Sequence, residues 1–178
     1  MSLKEITRDK HTEAESTAFM RAVFAGKMPL EVWGNWTYNR MIFYGAIESK
    51  CHAFGYLKDM QGIDRAYWLY EDFKDISNRV TVDTRVLSTV VEYRQYLLDL
   101  SPDKILAHLY TWHMGDLYGG QMIKKLIDSP HRSLEFDRVD WLRAGLRAKL
   151  NDSLGDEAIC AFNWAIRIMN EYDNVFDI

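Results

Sequence analysis

The sequence predicts an all-α fold, with one domain of six or seven helices over residues 1–178. Apolar residues recur at three- and four-residue intervals along most of the chain, which is the spacing of one helix face. No segment alternates convincingly between polar and apolar residues as a half-buried strand does. The chain has only three prolines and 48% hydrophobic residues, so long helices and a single sizeable core are expected.

Signals for helix starts and helix ends divide the chain into seven predicted helices. Gly26 and Pro29 separate the first two helices, since glycine is favoured just past a helix end and proline at a helix start. Ser101, Pro102 and Asp103 supply a capping hydroxyl, a helix-compatible proline and an N-terminal acid, so another helix begins there. The predicted helices span residues 3–24, 30–54, 63–77, 84–100, 101–127, 136–151 and 156–175, with a loop over residues 128–135.

The composition excludes several functional classes. A formal net charge of −4 argues against nucleic-acid binding, which needs clustered lysine and arginine to neutralise phosphates. Cys51 and Cys160 lack the spacing of a thiolate zinc site or a disulfide framework, so a reducing compartment is expected. The charged N-terminal segment does not resemble a signal peptide, and no apolar run approaches the roughly 20 residues that span a bilayer. A cytoplasmic protein without a membrane anchor is therefore expected.

Three glycines interrupt the helix predicted over residues 101–127. Gly115, Gly119 and Gly120 each cost a helix about 1 kcal/mol relative to alanine. Gly115 and Gly119 are four residues apart and share a face, which exposes a strip of bare backbone that a ligand can approach closely. Tight packing against another helix, or a kink, would explain the same glycines. Asp116 beside the strip is either a carboxylate that holds water near a ligand or a solvated surface acid.

His11 lies on a charged stripe of the first helix. Lys4, Arg8 and Glu15 stand seven residues before, three before and four after it, so all four share one face. A neutral imidazole is a good iron ligand, and a carboxylate one turn away can accept its second N–H and select the tautomer. Lys4 and Arg8 would then meet an anionic rim of the ligand. The alternative is an ordinary solvated helix face.

A second cationic pair occurs late in the chain. Arg143 and Arg147 are four residues apart and therefore share a helix face. Two guanidinium groups on one face suit the recognition of carboxylates or phosphates. Salt bridges to nearby acids are the alternative explanation of this pair.

Two separated segments together resemble the haem oxygenase family. Residues 3–21 follow the pattern Leu-Lys-x3-Arg-x2-His-Thr-x2-Glu-x4-Met-Arg, which closely resembles the proximal helix of that family. Residues 110–125 follow the pattern Tyr-Thr-x3-Gly-Asp-Leu-x-Gly-Gly-Gln-x2-Lys-Lys, which resembles its distal helix. The Ala-Phe-Asn sequence at residues 161–163 resembles part of its last helix. Two signatures in the expected order make a chance match improbable.

The resemblance implies a single-domain helical bundle with haem between the proximal and distal helices. It implies that His11 is the axial ligand of the haem iron. It also places Lys4, Arg8, Arg143 and Arg147 at positions that contact the haem propionates. The remaining implied site residues are Tyr110, Gly115, Asp116 and Gly119 on the catalytic side, and Glu15, Met20, Gly120 and Phe162 among the haem contacts.

The implied reaction converts haem, O2 and reducing electrons to biliverdin, by default the IXα isomer, together with carbon monoxide and ferrous iron. Haem is then both cofactor and substrate. Asp116 is implied to organise water and to help deliver a proton, with Tyr110 in the same water network. The implied partners are a reduced ferredoxin or a flavodoxin-type electron donor, and a downstream bilin reductase. The alternatives are a haem carrier or sensor that does not cleave haem, and a thiaminase-like enzyme of similar fold.

Three positions of the distal segment depart from the family pattern. Trp112 replaces the usual arginine, His113 the usual tyrosine and Tyr118 the usual serine. Loss of the arginine removes a fixed hydrogen-bond donor, and Tyr118 would either narrow the pocket or donate its hydroxyl. His113 is expected to pack on the outer face of the helix, with iron ligation or proton relay as the alternative.

Overall fold

The computed structural model describes residues 2–178, which form helices and connecting segments without any β-strand, so the all-α prediction is confirmed. Within the same residues, no helix has both the length and the apolar composition that crossing a bilayer requires. The helices are α1 (Leu3–Ile6), α2 (Arg8–Glu15), α3 (Ala18–Phe24), α4 (Leu30–Ala53), α5 (Ala66–Ser77), α6 (Ser88–Asp99), α7 (Ile105–Leu109), α8 (Gly115–Leu126), α9 (Val139–Ala148) and α10 (Gly155–Phe176). A π-helical turn (Tyr110–Met114) joins α7 to α8, and 3-10 turns cover Pro102–Lys104, Arg132–Leu134 and Asp152–Leu154.

The prediction of one continuous helix over residues 3–24 is wrong, since three short helices replace it. Thr7 ends α1 and Thr17 precedes α3. The Thr17 hydroxyl accepts a hydrogen bond from the backbone N–H of Met20 at 3.2 Å, which caps α3. Hydroxyl side chains compete with the helix for backbone groups, and apolar spacing does not register this competition. Helix α2, which carries His11, is therefore a short helix with its own ends.

Helix α4 is the central element of the core. It packs against α5, α6 and α7, and its residues Phe43, Tyr44 and Ile47 are fully buried. Its buried residues lie on several faces rather than on one stripe, as expected of a helix that is covered by neighbours around its circumference. Each buried polar side chain on this helix therefore needs a partner inside the protein.

The predicted start of a helix at residue 84 is wrong, because α6 begins at Ser88. Asn39 of α4 holds the preceding segment in a non-helical form. Its Nδ2 donates to the carbonyl of Arg85 at 3.1 Å, and its Oδ1 accepts from the backbone N–H of Leu87 at 3.1 Å. The carbonyl of Arg85 and the N–H of Leu87 thus find hydrogen-bond partners on α4, and not in an additional turn at the start of α6.

The helix predicted over residues 101–127 is present but is not uniform. It starts as a 3-10 turn, continues as α7, widens at the π-helical turn and ends as α8. A π-helical turn is rare and frequently marks a functional position. It also changes the register of side chains, so residues of α7 and α8 face different neighbours.

Helices α9 and α10 complete the described chain close to where the sequence predicts them. The predictions over residues 136–151 and 156–175 correspond to Val139–Ala148 and Gly155–Phe176. Helix α10 packs against α2, α3 and α7. It thereby brings the beginning and the end of the chain together, next to the helix that leads into the π-helical turn.

Candidate functional site

His11 lies at the surface of α2, with 57% of its side chain exposed. Its Nδ1 is 3.5 Å from Oε2 of Glu15, one helical turn away. Its ring meets the Phe162 ring of α10 edge to face, with the centroids 5.8 Å apart. A carboxylate beside Nδ1 favours the tautomer with the proton on that nitrogen. The lone pair on Nε2 is then available to a ligand.

A small apolar cluster lies beside His11. Ala14, Phe162 and Ile166 are buried together, separately from the main core, and Tyr110 packs against them. Tyr110 is the first residue of the π-helical turn, so the cluster joins α2 and α10 to the distal segment. The structure thus places His11, Phe162 and Tyr110 in one region.

The three distal glycines differ in their surroundings. A Cβ atom added to Gly115 or Gly119 would meet no atom within 4 Å, apart from the backbone of the same helix. Bare backbone therefore borders open space at both positions. A Cβ atom on Gly120 would lie 3.1 Å from Cδ2 of Leu134. Tight packing explains why position 120 is a glycine, and the assignment of Gly120 to the haem contacts stays a prediction. Gly115 and Gly119 form the open strip.

Tyr118 joins the late arginine pair to α8. The Arg143 guanidinium lies over its ring, with Cζ 3.9 Å from the centroid, and Arg147 donates a hydrogen bond to its hydroxyl. Arg143 also donates to the carbonyl of Leu117 at 2.6 Å and forms a salt bridge with the exposed carboxylate of Asp140. Both arginines are thus anchored to the helix that carries the glycine strip.

The other predicted haem contacts lie in the first three helices. Lys4 on α1 and Arg8 at the start of α2 are exposed, and so is Glu15. Met20 on α3 is half-buried and packs against the main core. The two cations are therefore accessible to an anionic ligand, while Met20 contributes apolar contact at the edge of the core.

Asp116 is buried in an ion pair that the sequence analysis did not predict. Nη2 of Arg40 donates to both carboxylate oxygens, at 2.7 Å to Oδ1 and 2.6 Å to Oδ2. The Tyr44 hydroxyl donates to Oδ2 at 2.8 Å. All three residues are buried. A guanidinium from α4 thus supplies a charged donor to this carboxylate.

The protonation states of the two donors are well defined. Burial alone would lower the pKa of Arg40, but the adjacent Asp116 carboxylate and Tyr44 raise it above its ordinary value. Burial raises the pKa of Tyr44 well above its usual range, so the hydroxyl keeps its proton. Asp116 is consequently met by two donors and functions as a hydrogen-bond acceptor.

His113 is fully buried against α4. Its Nε2 lies 2.8 Å from Oε1 of Glu48, and its ring packs on Tyr44 with the centroids 4.7 Å apart. Glu48 also accepts from the backbone N–H of Arg65 at 2.6 Å. The prediction that His113 packs against protein agrees with this arrangement. The predicted outer face of the helix is in fact buried. The imidazole anchors the π-helical turn to α4.

Trp112 begins a chain of buried hydrogen bonds. Its Nε1 donates to the Tyr93 hydroxyl at 3.0 Å, and that hydroxyl lies 2.7 Å from Nδ1 of His108. Nε2 of His108 lies 3.0 Å from Oε1 of Glu157. Burial lowers the pKa of His108, and a neutral imidazole with its proton on Nε2 satisfies both contacts. Trp112 is thus tied to α6 and α10 through the core.

Glu157 is expected to stabilise the fold in a pH-dependent way. Burial alone would raise its pKa, but hydrogen bonds with His108 and Tyr96 lower it from 4.5 to about 2. Because the pKa is lower in the folded chain, this stabilisation is complete above about pH 4.5 and is lost as the pH falls towards 2. We expect Glu157→Gln to lower the free energy of unfolding by about 1–2 kcal/mol at pH 7, and by less at pH 3.

Denaturant unfolding at both pH values measures this effect. Glu92→Gln is the matched control, because its exposed pair with Arg167 is worth at most about 1 kcal/mol. Equal destabilisation by Glu157→Gln at pH 7 and at pH 3 would show that the ionised carboxylate is not the stabilising species.

The sequence analysis missed Arg40, Tyr44 and Glu48, although one signal was present. Together with Trp36 they stand at four-residue intervals on α4 and so share a face. Charged residues at this spacing within a buried aromatic helix require buried partners. Periodicity does not name those partners, which lie on the distal segment.

Comparisons with known proteins agree with this architecture. A family model described as Heme oxygenase matches residues 1–141. Heme oxygenase 2 of Oryctolagus cuniculus is 26% identical to the chain over 202 aligned positions, which cover 96% of this chain and 65% of that protein. The chain thus spans somewhat less than two thirds of the length of this curated relative.

Solved structures share the fold. The crystal structure of heme oxygenase-1 from the cyanobacterium Synechocystis sp. PCC6803 in complex with heme aligns at a TM-score of 0.82 and 20% identity, covering 97% of this chain and 90% of that chain. The structure of heme oxygenase from Leptospira interrogans aligns at a TM-score of 0.81 and 23% identity, covering 96% and 100%. These likenesses establish the fold, and the family model covers most of the sequence. The chain therefore belongs to the haem oxygenase family.

Proposed function

We propose that the protein binds haem through His11 and cleaves it oxidatively to biliverdin, carbon monoxide and ferrous iron. The observation that carries this proposal is the position of His11. Its imidazole is exposed with Glu15 beside Nδ1, and its neighbour Phe162 belongs to the cluster that Tyr110 of the distal segment joins. The proposed iron ligand and Tyr110 of the distal segment therefore border the same apolar cluster. Haem is the substrate and also supplies the iron that activates O2.

In this proposal the chain binds and orients the substrate. His11 contributes Nε2 to the iron, and Glu15 accepts from Nδ1–H and holds the ring in place. The exposed backbone at Gly115 and Gly119 permits close approach of a flat ring. Asp116 accepts hydrogen bonds and orients water, through which protons reach the reacting oxygen.

The propionates of haem are proposed to bind the exposed Lys4 and Arg8 on one side of the site, and the half-buried Arg143 with the exposed Arg147 on the other side. Replacing Arg143 and Arg147 together by alanine is expected to raise the Kd of haemin by at least roughly tenfold, since a charge-assisted hydrogen bond contributes about 1.5 kcal/mol or more. Titration of the apoprotein, followed through the Soret band, measures this change. Arg79→Ala is the control, because Arg79 is exposed and pairs with Asp128 elsewhere.

The dimethyl ester of haem distinguishes loss of propionate contacts from a general disturbance of the site. Wild type should bind the ester more weakly than haem, and the double variant should show a smaller preference for haem, because only Lys4 and Arg8 remain to contact the propionates. A double variant that prefers haem to its ester as strongly as wild type does would contradict the assignment of Arg143 and Arg147.

We further propose that a reduced ferredoxin or a flavodoxin-type protein donates the electrons and that a bilin reductase consumes the product. The support is the resemblance of the proximal and distal segments to family members that use such donors. Bilin yield with reduced ferredoxin, with reduced flavodoxin and with ascorbate, measured at equal reducing equivalents, tests this proposal. Equal yields with all three would argue against a dedicated donor.

One spectroscopic experiment tests the proposed function as a whole. Haemin is added to the apoprotein, and reduced ferredoxin or ascorbate is then supplied in air. A haem oxygenase should form a stoichiometric Soret band that bleaches as a bilin appears. A Soret band that survives would identify a haem carrier or sensor, and the absence of a stoichiometric band would indicate a non-haem enzyme such as a thiaminase-like protein.

A further inference from the structure

Arg40 is a buried cation that the proposed function does not yet use. It is 4% exposed, and its guanidinium lies over the Tyr44 ring with Cζ 4.8 Å from the centroid. We propose that Arg40 is a positioning residue for the reaction: it holds the Asp116 carboxylate against α4 and so determines where the carboxylate's remaining acceptor site points. This inference rests on the proposed function.

Three hydrogen bonds determine the orientation of the carboxylate. Oδ2 of Asp116 accepts from Arg40 Nη2 and from the Tyr44 hydroxyl, while Oδ1 accepts from Arg40 Nη2. Arg40 Nη2 also lies 2.8 Å from the Tyr44 hydroxyl oxygen, so its two protons are shared among three acceptors and the two donors are linked. A carboxylate offers about four acceptor sites, so one site on Oδ1 remains. Rotation of the carboxylate would break at least one of these bonds.

Stability alone does not account for the arrangement. A buried ion pair contributes little net stability compared with apolar side chains of similar volume. In addition, Nε of Arg40 is buried and has no hydrogen-bond partner among the described residues. A buried donor without a partner carries a desolvation cost, which a pair selected only for stability would avoid.

The location of Asp116 connects Arg40 to the proposed site. Asp116 directly follows Gly115 and precedes Gly119 by three residues, so it lies within one turn of the open strip. The Asp116 carboxylate is buried against α4, where Arg40 contacts it. Gly115 and Gly119 border open space instead. Arg40 therefore acts on the substrate only through Asp116.

The variants Arg40→Met and Arg40→Lys test the proposal. Arg40→Met is expected to lower the rate of bilin formation by about tenfold or more, the low end of what acid–base assistance contributes, without changing the Kd of haemin. The C–O stretching frequency of the ferrous carbon monoxide complex, which senses the distal field, should shift. Arg40→Lys keeps the charge but removes the planar guanidinium that packs on the Tyr44 ring and that places Nη2 against the carboxylate, so its rate and frequency should lie between those of wild type and Arg40→Met.

Arg40→Lys is the deciding variant, because Arg40→Met leaves the Asp116 carboxylate buried without its cation. Asn39→Ala is the matched control: Asn39 is the neighbouring buried residue of α4 and holds Leu87. It should lower the Tm without changing the carbon monoxide frequency. A folded Arg40→Lys protein with the wild-type rate and frequency would overturn the proposal.

Unfolding of the apoprotein separates this inference from the proposed function. Arg40→Met and Asp116→Asn should have non-additive effects on stability, because they remove two halves of one contact. Additive effects would overturn the inference even if haem is cleaved. Failure of the wild-type protein to bind haem would reject the proposed function instead, whatever the result of this cycle.

Discussion

Replacement of His11 by alanine is expected to abolish normal haem ligation and to reduce bilin formation by at least about 100-fold. Loss of a residue that merely supports a metal ligand costs about 10- to 100-fold, so loss of the ligand itself should cost at least as much. The exposed imidazole contributes little to the core, and the stability of the apoprotein should therefore change by less than about 0.5 kcal/mol. Spectra of the haemin complex and single-turnover bilin yield measure the two effects.

The control for this prediction is His52→Ala. His52 is also exposed and also lies beside a carboxylate, with Nε2 2.7 Å from Oδ1 of Asp64. It lies on a different helix from His11, at the C-terminal end of α4. Its replacement should leave spectra and turnover unchanged. Added imidazole should restore part of the His11→Ala spectrum by occupying the same coordination position. Wild-type ligation in His11→Ala would assign the iron to another residue.

Gly119→Leu is expected to weaken haem binding without weakening the fold. No atom outside the helix backbone lies within 4 Å of the added Cβ, and leucine is favoured over glycine in a helix by up to about 1 kcal/mol. The apoprotein should therefore be as stable as wild type or more stable. In the complex the side chain would compete with the haem ring. An overpacking cost of about 1–3 kcal/mol corresponds to roughly a 5- to 150-fold increase in Kd.

Gly120→Leu is the matched variant with the opposite expectation. A Cβ atom there meets Leu134 at 3.1 Å, so the larger side chain should lower the Tm. Thermal unfolding of both apoproteins and haemin titration of Gly119→Leu measure the pair. Wild-type affinity in Gly119→Leu would show that the strip does not face the haem.

The first helices show how far the fold follows from the sequence. Apolar spacing correctly predicted that residues 3–24 are helical, because that spacing depends only on the geometry of a helix. It did not predict the interruptions at Thr7 and Thr17, where hydroxyl groups compete for backbone partners. It also placed the start of α6 too early, since Asn39 satisfies the backbone of the preceding segment from a different helix.

In the candidate site, too, the sequence predicted contacts within one helix but not contacts between distant helices. The spacing of His11 and Glu15 predicted their contact, because residues four apart meet on a helix. The pairing of Arg40 with Asp116 joins residues 76 positions apart, and no local rule relates them. The burial of His113 against Glu48 likewise depends on how α4 packs against the π-helical turn.

By itself the sequence determined the helical class, the contact of His11 with Glu15, the pairing of Arg143 with Arg147 on one helix and the shared face of Gly115 and Gly119. These features depend on intervals within one helix, which a fixed geometry of 3.6 residues per turn translates into neighbours. Only the tertiary structure decided which glycines border open space, which side chains donate to Asp116 and which face of the distal segment is buried. Those outcomes depend on contacts between distant helices, whose partners are selected by packing and by the need to satisfy buried charge.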